Sequence, residues 1–414
     1  MKTPSIYKLS NCRICGGKNL QKFIHLPNMP FTDDFVTPER KDTEFKADID
    51  IFVCEECLTA QTQHNVDVAD YYEDYQYSVG DSVLAKGFMK ILAKRLKQAY
   101  YPLINGKKVL EVGSSDGEQL LAFKMTGCRV LGYEPSSVLC DMSEEKGVPT
   151  IQGLFTSDSV ELLPSDFKEV DVVMLSYTFD HLPDPVSFLK TTASILNKHD
   201  GLLVVEIHNL EKILERQEFC LFEHEHSIYL TEQTVINICE SVGLVVIDFD
   251  LVPEVERRAN SLIFIATPVG SKFSDKSIKY RSSKDFSDLK FYSMVGENIR
   301  QGIANLEKFV DQITAQNKKL IGYGAGGRGV MTLAAMQNAQ KFAYVVDKKP
   351  KSPGLLMPKT GLRVFPIEQL SVDPADEILV FSFGYMDEIQ KELSVMGYKP
   401  EQFHSLIDVL AGRY

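Results

Sequence analysis

At 414 residues the chain has room for two or three domains, and its 44% hydrophobic and 25% charged content is ordinary for a globular protein. A formal net charge of -12 argues against a nucleic-acid binder held by phosphate contacts. No apolar run reaches the length of a membrane-spanning helix, and the opening MKTPSIYKLSNC lacks the apolar core of a signal peptide, so a cytoplasmic protein with neither membrane nor nucleic-acid partner is expected.

In such a compartment the eight cysteines serve as metal ligands or small buried hydrophobes rather than disulfides. Cys12-Arg13-Ile14-Cys15 and Cys54-Glu55-Glu56-Cys57 are two CxxC pairs, and their separation of roughly 40 residues suits a tetrahedral four-cysteine zinc site. Four thiolates leave no open position for water, so the site is expected to be structural, stabilising a segment (residues 1–68) too small for its own core. His25 and His64 are read as surface or packing residues. The stretch DVADYYEDYQYSVGDS, residues 67–82, is dense in tyrosine. It reads equally as an aromatic linker and as phenols, Tyr75 and Tyr77 among them, lining a substrate pocket.

An amphipathic helix to about residue 99 leads into VLEVGSSDGEQL, residues 109–120. Val109, Leu110 and Val112 make a short buried strand, Gly113-Ser114-Ser115-Asp116-Gly117 a turn of mostly small residues, and residues 119–123 a helix. That is where an open α/β sheet lets a nucleotide-like ligand approach backbone N–H groups. A second strand, residues 129–133, ends at Glu134-Pro135-Ser136. Its acid falls roughly 20 residues after the glycine turn, the offset for accepting both ribose hydroxyls. A third strand, 170–176, runs into Tyr177-Thr178-Phe179-Asp180-His181-Leu182-Pro183-Asp184-Pro185, and a fourth occupies 202–207. Strands alternating with helices predict a doubly wound, mainly parallel sheet. The turn keeps only two glycines, and Glu111 and Asp116 would repel a pyrophosphate. A zwitterionic sulfonium suits it better, and the stretch resembles the first motif of class I S-adenosylmethionine-dependent methyltransferases. That resemblance implies a donor site of Glu111, Gly113, Ser114, Asp116, Gly117, Glu134, Pro135 and Tyr177.

Further on, Phe222-Glu223-His224-Glu225-His226-Ser227 sets two histidines and two carboxylates together. The run is open to three readings: a charged solvent face, a metal site, or a general base with an orienting carboxylate. Residues 286–317 read as a long helix with apolar Leu289, Met294, Ile299, Ile303, Leu306 and Ile313 near helical spacing. A GxGxxG run follows, Gly322-Tyr323-Gly324-Ala325-Gly326-Gly327, continuing to Arg328 and Gly329, with a further strand ending at Asp347. On local evidence this is a better dinucleotide site than the central turn, which makes an NAD-dependent oxidoreductase the rival reading. The charged run from Asp347 to Lys351 reads as a solvated loop.

Taken whole, the order of these parts resembles the sugar C-methyltransferases that methylate C3 of nucleotide-linked 4-keto-6-deoxysugars. The resemblance implies three domains: a zinc-binding module (1–68), a methyltransferase domain (69–268) and a C-terminal Rossmann-like domain (269–414) that helps enclose a nucleotide-diphosphate keto sugar. The chain would act as a monomer or small homo-oligomer. It implies that Glu225 and His226 supply the base, with His224 beside them and His181, Tyr75 and Tyr77 at the reacting centre. Tyr323, Arg328, Asn260 and Ser261 would face the sugar nucleotide. The chain departs from the family pattern at Glu223, where a tyrosine is usual, at the Arg258-Ala259-Asn260-Ser261 segment, and at Phe383-Gly384. Glu223 could alter stereochemistry or serve as a second base, adding epimerisation to methylation.

Overall fold

The computed structural model describes residues 5–66, 83–103, 105–258, 260–279, 286, 288–348 and 354–414. The chain forms two compact units. The first comprises Met1–Leu20, Cys54–Leu210 and His226–Asp285, and the second Gln21–Val53, Glu211–Glu225 and Phe286–Tyr414.

A seven-stranded sheet carries the first unit, in the order Leu244–Asp248, Ser261–Pro268, Leu202–His208, Val172–Ser176, Lys108–Val112, Arg129–Glu134 and Thr150–Gln152. The five strands from Leu202–His208 to Thr150–Gln152 run parallel, whereas Ser261–Pro268 is antiparallel to both its neighbours. Alternation along these strands feeds two cores, because side chains two apart share a face. Leu110, Val112, Leu131, Tyr133, Val173 and Leu175 enter one; Val109, Val130, Val172, Met174 and Leu202 enter the other. The expected mainly parallel sheet is present, with one reversed strand next to its edge strand Leu244–Asp248. Lys108–Val112, the first strand of this sheet in the chain, lies between the second and the fourth. Such a reversal of winding opens a crevice beyond the carboxyl ends of the strands, the place where open α/β sheets bind ligands.

The same unit holds the cysteine pairs. Ile6–Lys8 pairs antiparallel with His64–Val66, and Ala60–Thr62 with Ile228–Tyr229. Arg13, inside the first CxxC, donates to the carbonyls of Thr62, His64 and Pro183. Its guanidinium thereby fastens the first cysteine turn to the segment after the strand Val172–Ser176.

The second unit contains a five-stranded, all-parallel sheet ordered Val364–Pro366, Val345–Asp347, Leu320–Tyr323, Glu377–Val380 and Phe403–Ser405. The long helix Leu289–Ala315 starts at Asp288, whose side chain accepts from Lys290 N. Its buried stripe is Tyr292, Val295, Gly296, Ile299, Gly302, Leu306, Phe309, Val310 and Ile313. Met294, expected within that stripe, is 53% exposed. Glycine replaces bulk because a Cβ on Gly296 would fall 2.1 Å from the carbonyl oxygen of Phe23. No helix among the described residues is long and apolar enough to cross a membrane.

Candidate active site

Cys12, Cys15, Cys54 and Cys57 converge, with one sulfur from each within 4.8 Å of the others. The Cys12–Cys57 and Cys15–Cys54 sulfurs are 3.5 and 3.6 Å apart, close to the edge of roughly 3.8 Å that follows from Zn–S bonds of about 2.3 Å in a tetrahedron. The N–H groups of Ile14 and Gly17 donate to the Cys12 and Cys15 sulfurs, which steadies thiolate charge. The donor set fits zinc and leaves no open position. Four of the eight cysteines are thereby engaged. The other four, Cys128, Cys140, Cys220 and Cys239, are buried free thiols.

At the crevice, the N–H groups of Gly113 and Ser114 both donate to the Tyr133 carbonyl, holding the turn against the second strand. Gly113 adopts φ +71°, and a Cβ there would lie 2.4 Å from Thr178 Oγ1. Glu134 receives Ser115 N–H at 2.9 Å on one carboxylate oxygen and Ser136 N–H at 3.0 Å on the other. Burial raises its pKa against the opposing pull of those two bonds. Each oxygen keeps a further lone pair, which suits a diol. Pro135 is half-buried beside it. Glu111 is enclosed at the end of the first strand, and burial pushes its carboxyl well above the usual range despite the nearby Arg258. Asp116 forms an ion pair with Lys146 at 2.7 Å, so it shapes the turn from within. Gly117, at φ +75°, starts the helix Glu118–Lys124. These residues form a small-residue turn beside a buried carboxyl with acceptor capacity to spare, a setting that fits an adenosyl donor.

Beyond the next two strand ends lies a group of imidazoles. Tyr177, at φ +51°, has its ring 4.6 Å from that of His208 and tilted 50° to it, and the Arg258 guanidinium lies 4.7 Å above the Tyr177 face. Arg258 also forms an ion pair with Glu206, which accepts from Ser261 Oγ at 2.7 Å. Ser261's hydroxyl is thus turned toward the sheet, while Asn260 is buried at φ +58° with its carbonyl accepting from Asn209 N–H. The His226 ring lies 4.8 Å from that of His181 and 4.9 Å from that of His208. Asp180, almost fully buried, sits 2.8 Å from His208 Nδ1. Burial alone would raise the Asp180 carboxyl; the bond from His208 and the three imidazoles outweigh it and hold the group below the usual carboxylate range. His181 is held down at about 3, first by burial and next by the charge of His226, so it is neutral across ordinary pH. Ser227, next to His226, donates through N–H to the Asp180 carbonyl at 2.7 Å and through Oγ to the Leu182 carbonyl at 2.6 Å.

The second unit holds Glu223, His224 and Glu225. His224 is buried, with Nε2 2.9 Å from the Met29 carbonyl and its ring beside Phe31 and Phe45. Glu225 is buried too. Glu223 reaches the glycine loop: a Cβ placed on Gly327 would stand 2.9 Å from its Oε1. In that loop Ala325 N–H donates to Asp347 at 2.8 Å, and Arg328 pairs with the fully buried Glu218. Tyr323 is buried, which raises its phenol. Tyr75 and Tyr77 lie outside the described residues. Asp180 and His208 were not picked out in the sequence as site residues. The available signals were an acid directly before His181 and a polar ring at the end of the mostly aliphatic strand Leu202–His208.

Three family models match successive parts of the chain: a zinc binding domain at residues 12–72, a methyltransferase domain at 84–248 and a C-methyltransferase C-terminal domain at 274–405. Among curated proteins, the C-methyltransferase NovU of Streptomyces niveus is 24% identical over 390 residues, covering 92% of this chain and 91% of that one. Solved structures with a loose likeness include the CcbJ methyltransferase of Streptomyces caelestis, 14% identical. It covers 49% of this chain and 96% of its own, at a TM-score of 0.35. Magnesium protoporphyrin IX methyltransferase of Synechocystis is likewise 14% identical at a TM-score of 0.35, covering 49% of this chain and 95% of its own.

Proposed function

Given that the chain belongs to the zinc-binding, S-adenosylmethionine-dependent C-methyltransferases, we propose that its acceptor is C3 of a nucleotide-linked 4-keto-6-deoxysugar, methylated through a base-generated enolate. The observation that carries this reading is the buried His226 beside His181 and His208, which lie after or at the carboxyl ends of two strands of the sheet that carries the donor turn. A C4 ketone acidifies the C3 hydrogen, so one well-placed base suffices to form the enolate. S-adenosylmethionine, when bound, supplies an electrophilic sulfonium methyl to which the enolate carbon adds.

His226 takes the C3 proton, and the buried Asp180 carboxylate favours the cation that forms. His181, neutral at working pH, steadies the oxyanion by donating a hydrogen bond. Glu225, next in the chain to His226, helps to fix its position. Glu134 accepts the donor's ribose hydroxyls, and the turn at Gly113 and Ser114 closes around the adenosyl group. Glu223 stands against Gly327 at the start of the helix Gly327–Ala335, where a carboxylate complements the helix dipole. That placement supports an anchoring role for it over a second base, and hence methylation without epimerisation.

The test is solvent exchange. With dTDP-4-keto-6-deoxyglucose and S-adenosylhomocysteine in D2O, the wild-type protein should exchange the C3 proton, and His226→Asn should slow that exchange by 100-fold or so, a typical span for a lost general base. Exchange at the native rate in His226→Asn removes the base assignment, and no exchange by the wild type removes the keto-sugar acceptor.

A further inference from the structure

C-methylation releases one proton per turnover. The acceptor's C–H bond is replaced by C–C, the sulfonium becomes a neutral thioether, and the hydrogen leaves as H+. The base that takes it must therefore be emptied before the next cycle, and His226 is only 4% exposed. A buried imidazolium with no outlet would return its proton to the enolate. Its neighbours differ in what they can do with a proton. His181 lies 4.8 Å away ring to ring but is held neutral down to about pH 3 by burial and by His226 itself, so it is a poor carrier. His208 is different. Its ring lies 4.9 Å from that of His226, its side chain is 17% exposed, and its Nδ1 is 2.8 Å from Asp180 Oδ2.

We propose that His208, backed by Asp180, is the proton exit of His226, carrying the acceptor's proton from the buried base to solvent. The inference rests on the reading of His226 as the base. An ionised carboxylate only accepts, so the hydrogen bond to Asp180 fixes the proton of neutral His208 on Nδ1 and leaves Nε2 as the acceptor. A carboxylate oxygen of Asp180 and one ring nitrogen each of His208 and His226 lie within 4.8 Å of one another, and the two rings are 4.9 Å apart, a span that direct contact or one bridging water covers. The steps balance. The C3–H bond breaks and its proton goes to His226. His226 passes a proton to His208 Nε2, and the resulting imidazolium is stabilised by Asp180. Water at the exposed edge of His208 then takes it away. The tyrosine ring of Tyr177 against His208 keeps the imidazole plane in place.

His208→Ala, which opens a cavity at the solvent-facing side of the cluster, tests this. With dTDP-4-keto-6-deoxyglucose as probe, C3 exchange in D2O and steady-state methylation should both fall by about tenfold or more, and imidazole added to the medium should restore both saturably. His208→Gln, which fills the space without titrating, should show the same loss without the rescue. Native turnover in His208→Ala, or a loss that imidazole does not restore in a protein of unchanged melting temperature, would overturn the relay. Restoration by Zn2+ or Mn2+ instead of imidazole would also overturn it, in favour of a cation on the same three side chains. His226→Asn run beside it keeps the two ideas apart. Native exchange there removes the base reading itself, whereas lost exchange there with unrescued His208→Ala removes the relay alone.

Discussion

Gly113 carries two constraints at once. Its φ of +71° favours glycine, and Thr178 Oγ1 leaves no room for a Cβ. Gly113→Ala should therefore cost on the order of 1–3 kcal/mol in stability and displace the donor turn. Thermal unfolding with and without S-adenosylhomocysteine checks this, and a variant with native stability and a native ligand-induced shift would contradict it. His181 offers a second check through pH. Its folded pKa is depressed from 6.5 to about 3, so between those values the unfolded chain binds more protons than the folded one. Its contribution is present in full above pH 6.5 and falls as the pH is lowered, at up to roughly 1.4 kcal/mol per pH unit. Asp180, also depressed, adds loss in the same direction, but only from about pH 4 downward, where a free carboxylate begins to protonate. Melting temperatures between pH 6.5 and about 4 should fall less steeply in His181→Gln than in the wild type; parallel curves would contradict the assignment. His181 was legible in the sequence through resemblance. Asp180 was not, because its role depends on His208 coming from a different strand end, and that meeting is a product of sheet order rather than of spacing.

At the scale of elements, the cysteine turns do more than complete a small module. Ala60–Thr62 pairs with Ile228–Tyr229, two residues beyond His226, and Arg13 reaches the carbonyl of Pro183, two residues beyond His181. The zinc site thus braces the segments that carry His226 and His181, although its thiolates take no part in the chemistry. Removing the metal with a chelator should lower the unfolding midpoint by about 5 °C or more. Methylation should be lost in parallel, and readdition of Zn2+ should restore both. Retained activity in protein shown by metal analysis to be zinc-free would contradict this coupling. The pairs themselves were plain in the sequence, since CxxC spacing is a local property. Their reach to His226 was hidden, because strand pairing between residues so far apart leaves no local mark. The long helix shows the opposite limit. Its existence followed from periodicity, yet its buried stripe includes Gly296 and Gly302 and excludes Met294, since close backbone approach and not hydrophobicity sets that face.

At the scale of the whole molecule, two sheets share a winding order around their first strand but carry different loops there. The turn after Lys108–Val112 donates Ser115 N–H to the buried acid Glu134. The loop after Leu320–Tyr323 places an amide on Asp347, sets Glu223 at its helix start and ties Arg328 to Glu218. The second loop had the better dinucleotide pattern in sequence, and its carboxylate neighbours were invisible there because Glu218 and Glu223 arrive from about a hundred residues away. Its glycines serve packing as well. A Cβ on Gly329 would lie 2.1 Å from the carbonyl oxygen of Gly324. The fold class and the four-cysteine cluster were therefore readable from local pattern, whereas the meeting of Asp180, His208 and His226 was not.

The most direct test is the fate of the transferred carbon. With dTDP-4-keto-6-deoxyglucose and S-adenosylmethionine carrying a 13C methyl group, the product should show a one-bond carbon–carbon coupling between the new methyl and C3 of the sugar. A methyl signal without that coupling, as for a methyl on oxygen, or failure of the label to reach the keto sugar, would contradict the account.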